Sequence, residues 1–501
     1  SSNNDSSKII GSRIFQYLKL NSKWNKNELS LVLEKDAGES FFKPGNLFKI
    51  GFQRNYKSVI KQLNIGAYSL QIGEGLVHSN SFYLGGNNST SKILKINKSS
   101  SESNYQLGSC LILKKGIYKS IIGFAVNPRS GKLNNNSIES FIDDGVFDSK
   151  NRLNLHHSSW DANFVISNQL DFHKLTIALN SKKSNLSHSF TPEEKYYNKD
   201  YSLPKNFWNN SVSYNYFHPS FLSRGEIAFL NEKDWATTHF INILIDENLT
   251  FDFNYRYFSK GYKSLHSNTY KKHSKIQNEA GFYVGLIYNT YNLNIIGRFD
   301  YYKNTNPKYL MHMPSFGKTY NQLIRYRASD SLCFEIKYSF RLSQEELTDN
   351  NLDYQIRKSE HRLTSKIKFV LNEFWMISSR IGYNNILIQN SNNGYVVSQD
   401  LTYRKEKHKI TLRIAIVNSD TWDNRFYIYE NDMLHNFSNS VYYDNSSRFY
   451  LNYNYKINNK WQLWMKYGIT SFENKTTIGS GKNKISGNKK SLLKWQVRFS
   501  F

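Results

Sequence analysis

The sequence predicts an all-β protein, a single large transmembrane antiparallel β-barrel of about 22–26 strands. Three observations predict it. Apolar and polar residues alternate in segments of about 9–11 residues, the length a tilted strand needs to cross the hydrocarbon layer. No apolar run approaches the ~20 residues of a spanning helix. The chain ends on a strand whose final residue is aromatic: Leu493, Trp495, Val497, Phe499 and Phe501 alternate with Lys494, Gln496, Arg498 and Ser500. Residues of one parity share a face, so this strand offers one face to lipid and one to water. A frayed terminal strand stabilises a soluble β-sandwich little, whereas the last strand of a barrel must leave no open edge. Trp495, Val497, Phe499 and Phe501 are therefore expected on the membrane side of a closing strand.

In chain order, residues 1–12 are polar and expected to be mobile, and residues 13–501 are expected to form the barrel without a linker. The start at Ser1, with neither Met nor an apolar leader, reads as a chain whose export signal has been removed. Candidate strands begin near Arg13, Glu28, Phe48, Gln62, Tyr105, Tyr118, Asp161, Lys174, Trp208, Leu222, Thr238, Leu249, Gly281, Leu293, Tyr320, Phe334, Leu363, Trp375, Val396, Lys409, Arg425, Phe449, Trp461 and Leu492. The alternation is plainest in five of them. Leu249, Phe251, Phe253, Tyr255 and Tyr257 interleave with Thr250, Asp252, Asn254 and Arg256. Phe334, Ile336, Tyr338 and Phe340 interleave with Glu335, Lys337, Ser339 and Arg341. Ile410, Leu412, Ile414 and Ile416 interleave with Thr411, Arg413 and Ala415. Phe449, Leu451, Tyr453 and Tyr455 interleave with Tyr450, Asn452 and Asn454, and Trp461, Leu463, Met465 and Tyr467 with Gln462, Trp464 and Lys466. Short connections such as Asn458-Asn459 suit hairpins. The polar segments Asn127–Ser158, Ser184–Lys205, Lys260–Asn278 and Ile469–Lys490 are expected as outer loops, and Asn87–Ser91 as a connection, because periplasmic turns are short.

Composition fits a barrel, whose wet interior and polar loops dilute its apolar band. Hydrophobic residues are 39% and aromatics 16%, and only 7 Pro interrupt the ladders. Tyr and Trp sit well at the two membrane–water boundaries, although Tyr is also a good strand former. Cys110 and Cys333 are far apart and offer neither a disulfide framework nor a metal signature.

Several blocks resemble the carboxy-terminal barrel of Bacteroidota outer-membrane proteins known as helix-hairpin-helix domain-containing. They are Leu33–Glu39, Gly66–Leu76, Tyr255–Phe258 with Tyr262 and Leu265, Tyr429–Asp432, Thr477–Gly481 and Ile485–Asn488. The DNA-binding hairpin that names that family has no counterpart in residues 1–501. Ile72-Gly73-Glu74-Gly75-Leu76 imitates its turn, but its flanks do not supply two helices, and the glycines are expected to mark a bend or a close backbone approach. The resemblance implies architecture, a bacterial outer-membrane location and recognition by the outer-membrane assembly machinery.

Charge carries the functional expectation. Lys and Arg number 66 against 40 Asp and Glu, a net +26, and such a field gathers anionic partners. The polar parity places Arg256, Arg325, Arg327, Arg341, Lys366, Lys368, Arg413, Arg448, Lys466, Lys494 and Arg498 inside, as an electropositive lumen. The expected function is an outer-membrane pore or transport component for anionic cargo, nucleic acid among the candidates. The alternative is a non-conducting barrel serving as a structural or interaction subunit with partner lipoproteins. Lipid and lipopolysaccharide are expected partners in either case, and a nucleotide-biased genome would produce the same charge. His156-His157-Ser158-Ser159 with Asp161 is the densest catalytic-looking cluster, and His266 and His273 share another loop. None has the spacing of a metal site or a nucleophile motif, so no catalytic residue, metal or cofactor is expected.

Overall fold

The computed structural model describes residues 9–41, 45–80, 93–349, 352–436, 438–481 and 484–501. Its main feature is a 25-stranded sheet. The chain divides into two compact units. The first comprises residues 1–244, 252–283 and 302–315, and the second residues 245–251, 284–301 and 316–501.

In the first unit the strands Gln16–Trp24, Asn27–Lys35, Leu47–Asn55 and Ile60–Ile72 pair in succession, all antiparallel. The ladder continues from Ile60–Ile72 through Gln106–Lys115, Tyr118–Arg129, Ser159–Phe172, Leu175–Leu186, Asn206–His218, Phe221–Phe229 and Trp235–Leu244. In the second unit Ser315–Arg327 leads to Leu332–Asp349, Leu352–Val370, Trp375–Leu387, Ser391–Lys405 and His408–Ser419. It ends with Ser446–Lys456, Trp461–Phe472 and Lys489–Phe499.

Burial in both units is inverted relative to a soluble sheet. In the first, Phe124 and Phe164 are directly paired and stand 51% and 41% exposed, while Asn163 and Lys182 are buried. In the second, Ile381, Val397 and Ile416 form one cross-strand row at 62%, 56% and 65% exposure. On the opposite parity Arg413 and Lys466 are buried. Rows of open apolar side chains over a closed polar face are stable against hydrocarbon and costly in water. No helix among the described residues is long and apolar enough to cross a membrane. The protein is nearly all antiparallel β-sheet, with the exposure pattern of a transmembrane β-barrel. Aromatics gather at the short-turn ends, where Trp375 packs on Tyr403 at 4.8 Å and Trp461 on Phe499 at 4.6 Å. At one such turn the Asn458 carboxamide accepts the N–H groups of Lys460 and Trp461, both at 2.8 Å.

The structure adds to or departs from the expected pattern in four places. The strand expected near Arg425 does not join the ladder. Phe426–Glu430 pairs with Ser438–Tyr442 as a separate hairpin, standing on a small apolar base of Val396, Ala415 and Val417. Residues 260–278 form a connection as expected, but one that folds onto the protein, with Tyr262, Thr269 and Ile276 buried. The inner face of the first unit is not uniformly polar: Tyr68, Leu70, Ile72, Leu76, Val77 and Tyr262 join one apolar cluster with Cys110 and Ile121. Segments that leave the ladder and turn inward supply that apolar surface, which a strand count cannot anticipate. Lastly, residues 9–12 are fastened by Ile10 N–H to Asp148 O at 3.0 Å and Gly11 N–H to Gly38 O at 2.8 Å. The rest of the segment expected to be mobile, and the Asn87–Ser91 connection, lie outside the described residues. Cys110 and Cys333 are free thiols.

Candidate functional site: the basic inner faces

In the second unit, cross-strand register assembles the basic residues into rows. One row runs Arg325, Glu335, Lys366, Arg380. The next runs Arg327, Cys333, Lys368, Ser378, Asp400, Arg413, Tyr450. Arg325 holds Glu335 at 2.6 Å, and Lys337 approaches the same carboxylate at 3.0 Å. Arg327 lies over the Tyr291 ring at 5.9 Å. Lys366 stands directly opposite Arg380, and neither makes an ion pair among the described residues. Arg341, Lys368 and Arg498 likewise lack an ion pair there, and all three are exposed. Like charges placed directly opposite destabilise a sheet, so the Lys366–Arg380 pair is a position where an anion would be welcome.

The remaining expected inner cations of this unit, Arg413, Arg448, Lys466 and Lys494, are neutralised by the chain itself. Arg413 grips Asp400 with two nitrogens, donates from Nη1 to Tyr429 O at 2.8 Å and lies 5.2 Å from the Tyr450 ring centre. Arg448 donates from Nε and Nη2 to the two Glu430 oxygens, both at 3.1 Å. Lys466 Nζ lies 2.8 Å from Glu430 Oε2 and 3.6 Å from Asp432 Oδ2. Lys494 reaches Asp432 at 2.8 Å. The glycine at 468 makes room, because a Cβ there would stand 2.7 Å from Arg448 Nη2. Tyr442 donates to Glu430 at 2.7 Å. Burial alone would raise the Glu430 carboxyl, but Arg448 and Lys466 outweigh it and bring it down to about 2. Glu430 and Asp432 lie at the end of the Phe426–Glu430 strand and just past it, in a hairpin that leaves the ladder, so strand parity alone does not bring them to Arg448 and Lys466. Their signal was present in the Tyr429–Asp432 block, where alternate residues are acidic.

The first unit contains a separate constellation. Glu226 accepts the N–H groups of Glu74 at 2.8 Å and Leu76 at 3.0 Å and the Ser211 hydroxyl at 2.6 Å. Gly73 and Gly75 there have φ of +51° and +89°, a left-handed backbone that glycine adopts without strain. The Gly73–Leu76 turn is thus a bend docked on a carboxylate. Residues 260–278 close over it. Tyr262 donates to Leu76 O at 2.9 Å, Ser264 to Val77 O at 2.7 Å, and His266 Nε2 meets both Asp161 oxygens at 3.1 Å. Lys182 is buried and donates to Leu265 O. Burial, against the pull of Asp161, lowers the pKa of His266, and burial with Lys182 and His266 nearby holds His78 well below its usual value. Arg256 is buried against Glu279 at 2.5 Å. His273 meets Asn304 at 2.9 Å, and His156 and His157 stack on each other. No nucleophile stands beside these imidazoles in the geometry of a triad among the described residues.

On the last strand, Trp495 and Phe501 are 73% and 82% exposed, Val497 and Phe499 both 47%, and Lys494 is half-buried on the opposite parity.

No family model matches the chain, and no curated protein matches it. Solved structures with a similar arrangement include the siderophore receptor PirA from Acinetobacter baumannii, 8% identical over 97% of this chain and 80% of that one, TM-score 0.43. The ferripyoverdine receptor of the Pseudomonas aeruginosa outer membrane is 10% identical over 97% and 70%, TM-score 0.42. Acinetobacter baumannii OccAB3 is 10% identical over 76% and 98%, TM-score 0.32.

Proposed function

We propose that this protein is an outer-membrane transport component whose second unit offers an electropositive inner surface to anionic cargo, with no residue acting catalytically. The observation that carries this reading is the Lys366–Arg380 pair, two half-buried cations directly opposite in register, neither of them in an ion pair among the described residues although Glu335 is the other cross-strand neighbour of Lys366. Arg can grip a phosphate or carboxylate in bidentate fashion, and Lys serves as a mobile point charge. Phosphate-bearing polymers, single-stranded nucleic acid among them, belong to the cargo class that such a row suits. The test is ion selectivity of the purified protein in a planar bilayer. Anions are expected to be preferred, and the double variant Lys366→Glu, Arg380→Glu is expected to lower that preference several-fold by analogy with charged selectivity rings.

The scaffold reading also has an observation in its favour. The inturned segment 260–278 and the turn at Gly73 fill part of the inner face of the first unit with apolar side chains. A protein that reconstitutes fully and carries no current would decide for a structural subunit that binds other envelope proteins.

A further inference from the structure

Three places on the inner face of the second unit set cations directly opposite each other, one of them Arg404 against Lys409 at the end of its strand pair, and the other two matter here. Lys366 faces Arg380, and Lys466 faces Lys494. The first pair stands open. At the second, the chain's own carboxylates bridge the cations: Asp432 touches both lysines, and Glu430 joins Lys466 to Arg448. A bare cluster of three cations at this depth would be costly, since buried charges must be paired. The carboxylates that pair them come from outside the ladder: Glu430 ends the Phe426–Glu430 strand and Asp432 lies just beyond it. Lys466 Nζ sits between the two carboxylates, so the site already holds two neighbouring anionic groups around one ammonium.

We propose that Arg448, Lys466 and Lys494 form a binding site for a ligand with two adjacent anionic groups, a diphosphate or two successive phosphodiesters, and that Glu430 and Asp432 occupy it as an internal stand-in. This rests on the anionic-cargo reading for the class of ligand, but the site differs from the Lys366–Arg380 row. Ligand and segment compete for the same nitrogens, so the observed affinity is the intrinsic affinity reduced by the fraction of molecules in which the segment has withdrawn.

The test uses the full chain in detergent micelles with inorganic pyrophosphate as the probe and orthophosphate as the single-anion control. The double variant Glu430→Gln, Asp432→Asn is expected to bind pyrophosphate about tenfold more tightly than the unaltered protein, because the internal competitor is gone. Orthophosphate should gain less. Adding Lys466→Met should abolish the gain. A folded double variant with no gain overturns the proposal and leaves the ion pairs as fasteners of the segment. If the double variant does not fold, Asp432→Asn alone, which leaves Glu430 in place, is expected to tighten pyrophosphate binding about threefold, and an unchanged affinity there overturns the proposal equally. The unaltered Lys366–Arg380 row serves as the internal reference. If Lys366→Glu, Arg380→Glu leaves bilayer selectivity unchanged while the pyrophosphate gain persists, the pore reading fails and this site stands.

Discussion

At the scale of single residues, the inner face is organised by groups that a strand pattern treats as incidental. Gly73 is the clearest case. A Cβ there would approach the Glu226 carboxylate carbon to 2.7 Å, and φ is already +51°. Glu226 cannot swing aside without releasing the Glu74 and Leu76 N–H groups and the Ser211 hydroxyl. Gly116 supplies the control, with φ of +56° and nothing within 4 Å of its Cβ position. Gly73→Ala and Gly116→Ala therefore share the backbone cost of about 1–2 kcal/mol for a left-handed L-residue. Only Gly73→Ala also disturbs a buried, fully used carboxylate, an added loss of about 1–3 kcal/mol. Heat-induced unfolding of the two variants, followed on a gel that separates folded from unfolded barrel, is expected to rank Gly73→Ala well below Gly116→Ala. Equal midpoints would mean that docking the turn on Glu226 contributes nothing. The glycines were legible in the sequence as a bend, but their partner was not, because Glu226 lies about 150 residues away and nothing local marks it. The same holds for Arg448, whose room is made by Gly468 and whose anion comes from Glu430.

At the scale of elements, the ladder was readable because membrane strands repeat one rule, apolar outward and polar inward. That rule placed Ile414 and Ile416 apart from Arg413, and Met465 apart from Lys466, as burial shows. It failed for segments that leave the ladder and turn inward, where alternation has no membrane to report. The Phe426–Glu430 strand alternates as well as any neighbour, yet its buried parity, Phe426, Ile428 and Glu430, is served by its own chain. The two inturned elements should differ in acid. In the first unit, His266 is faced by Asp161, Arg129, Lys182 and His78, and its folded pKa lies below the ordinary value, so the folded form favours the neutral imidazole. Stability from that preference is complete above pH ~6.5 and declines as pH falls below it, when the unfolded chain takes up the proton first. In the second unit, Glu430 is faced by Arg448, Lys466 and Tyr442, and its folded pKa is depressed to about 2. Its contribution is complete above the ordinary carboxylate pKa of ~4.3 and is lost only as pH falls from there toward about 2. Hydrogen exchange at pH 5 is therefore expected to quicken in residues 260–278 while residues 426–436 remain protected, with the latter opening only below pH ~4. Simultaneous opening at pH 5 would contradict the assignment of separate fasteners.

At the scale of the whole molecule, the net +26 is a poor measure of what an anionic polymer meets. Arg256, Arg413, Arg448, Lys466 and Lys494 all appeared from sequence as free inner cations, and each is engaged by an acid of the same chain. Lys366, Lys368 and Arg380 have no ion pair among the described residues, and Arg325 shares Glu335 with Lys337. The charge that matters is the uncompensated remainder, and salt dependence measures it directly. Each phosphate contact releases counterions, so the logarithm of the binding constant for a single strand falls with log salt by about 0.7 per contact. If an oligonucleotide engages these four side chains, its binding should fall with a slope of about −3. A slope several times steeper would show that exposed loop cations take part. Reversing Lys366 and Arg380 to Glu should flatten the slope by at least half, since two contacts are lost and two repulsions added. Neutralising Arg413, by contrast, should leave the slope unchanged and lower the unfolding midpoint, because that side chain is buried and its guanidinium is spent on Asp400 and the Tyr429 carbonyl. The opposite result, a slope that follows Arg413 and ignores Lys366 and Arg380, would place the polymer on the buried ion pairs and refute the division between fastening and free charge on which the transport reading depends.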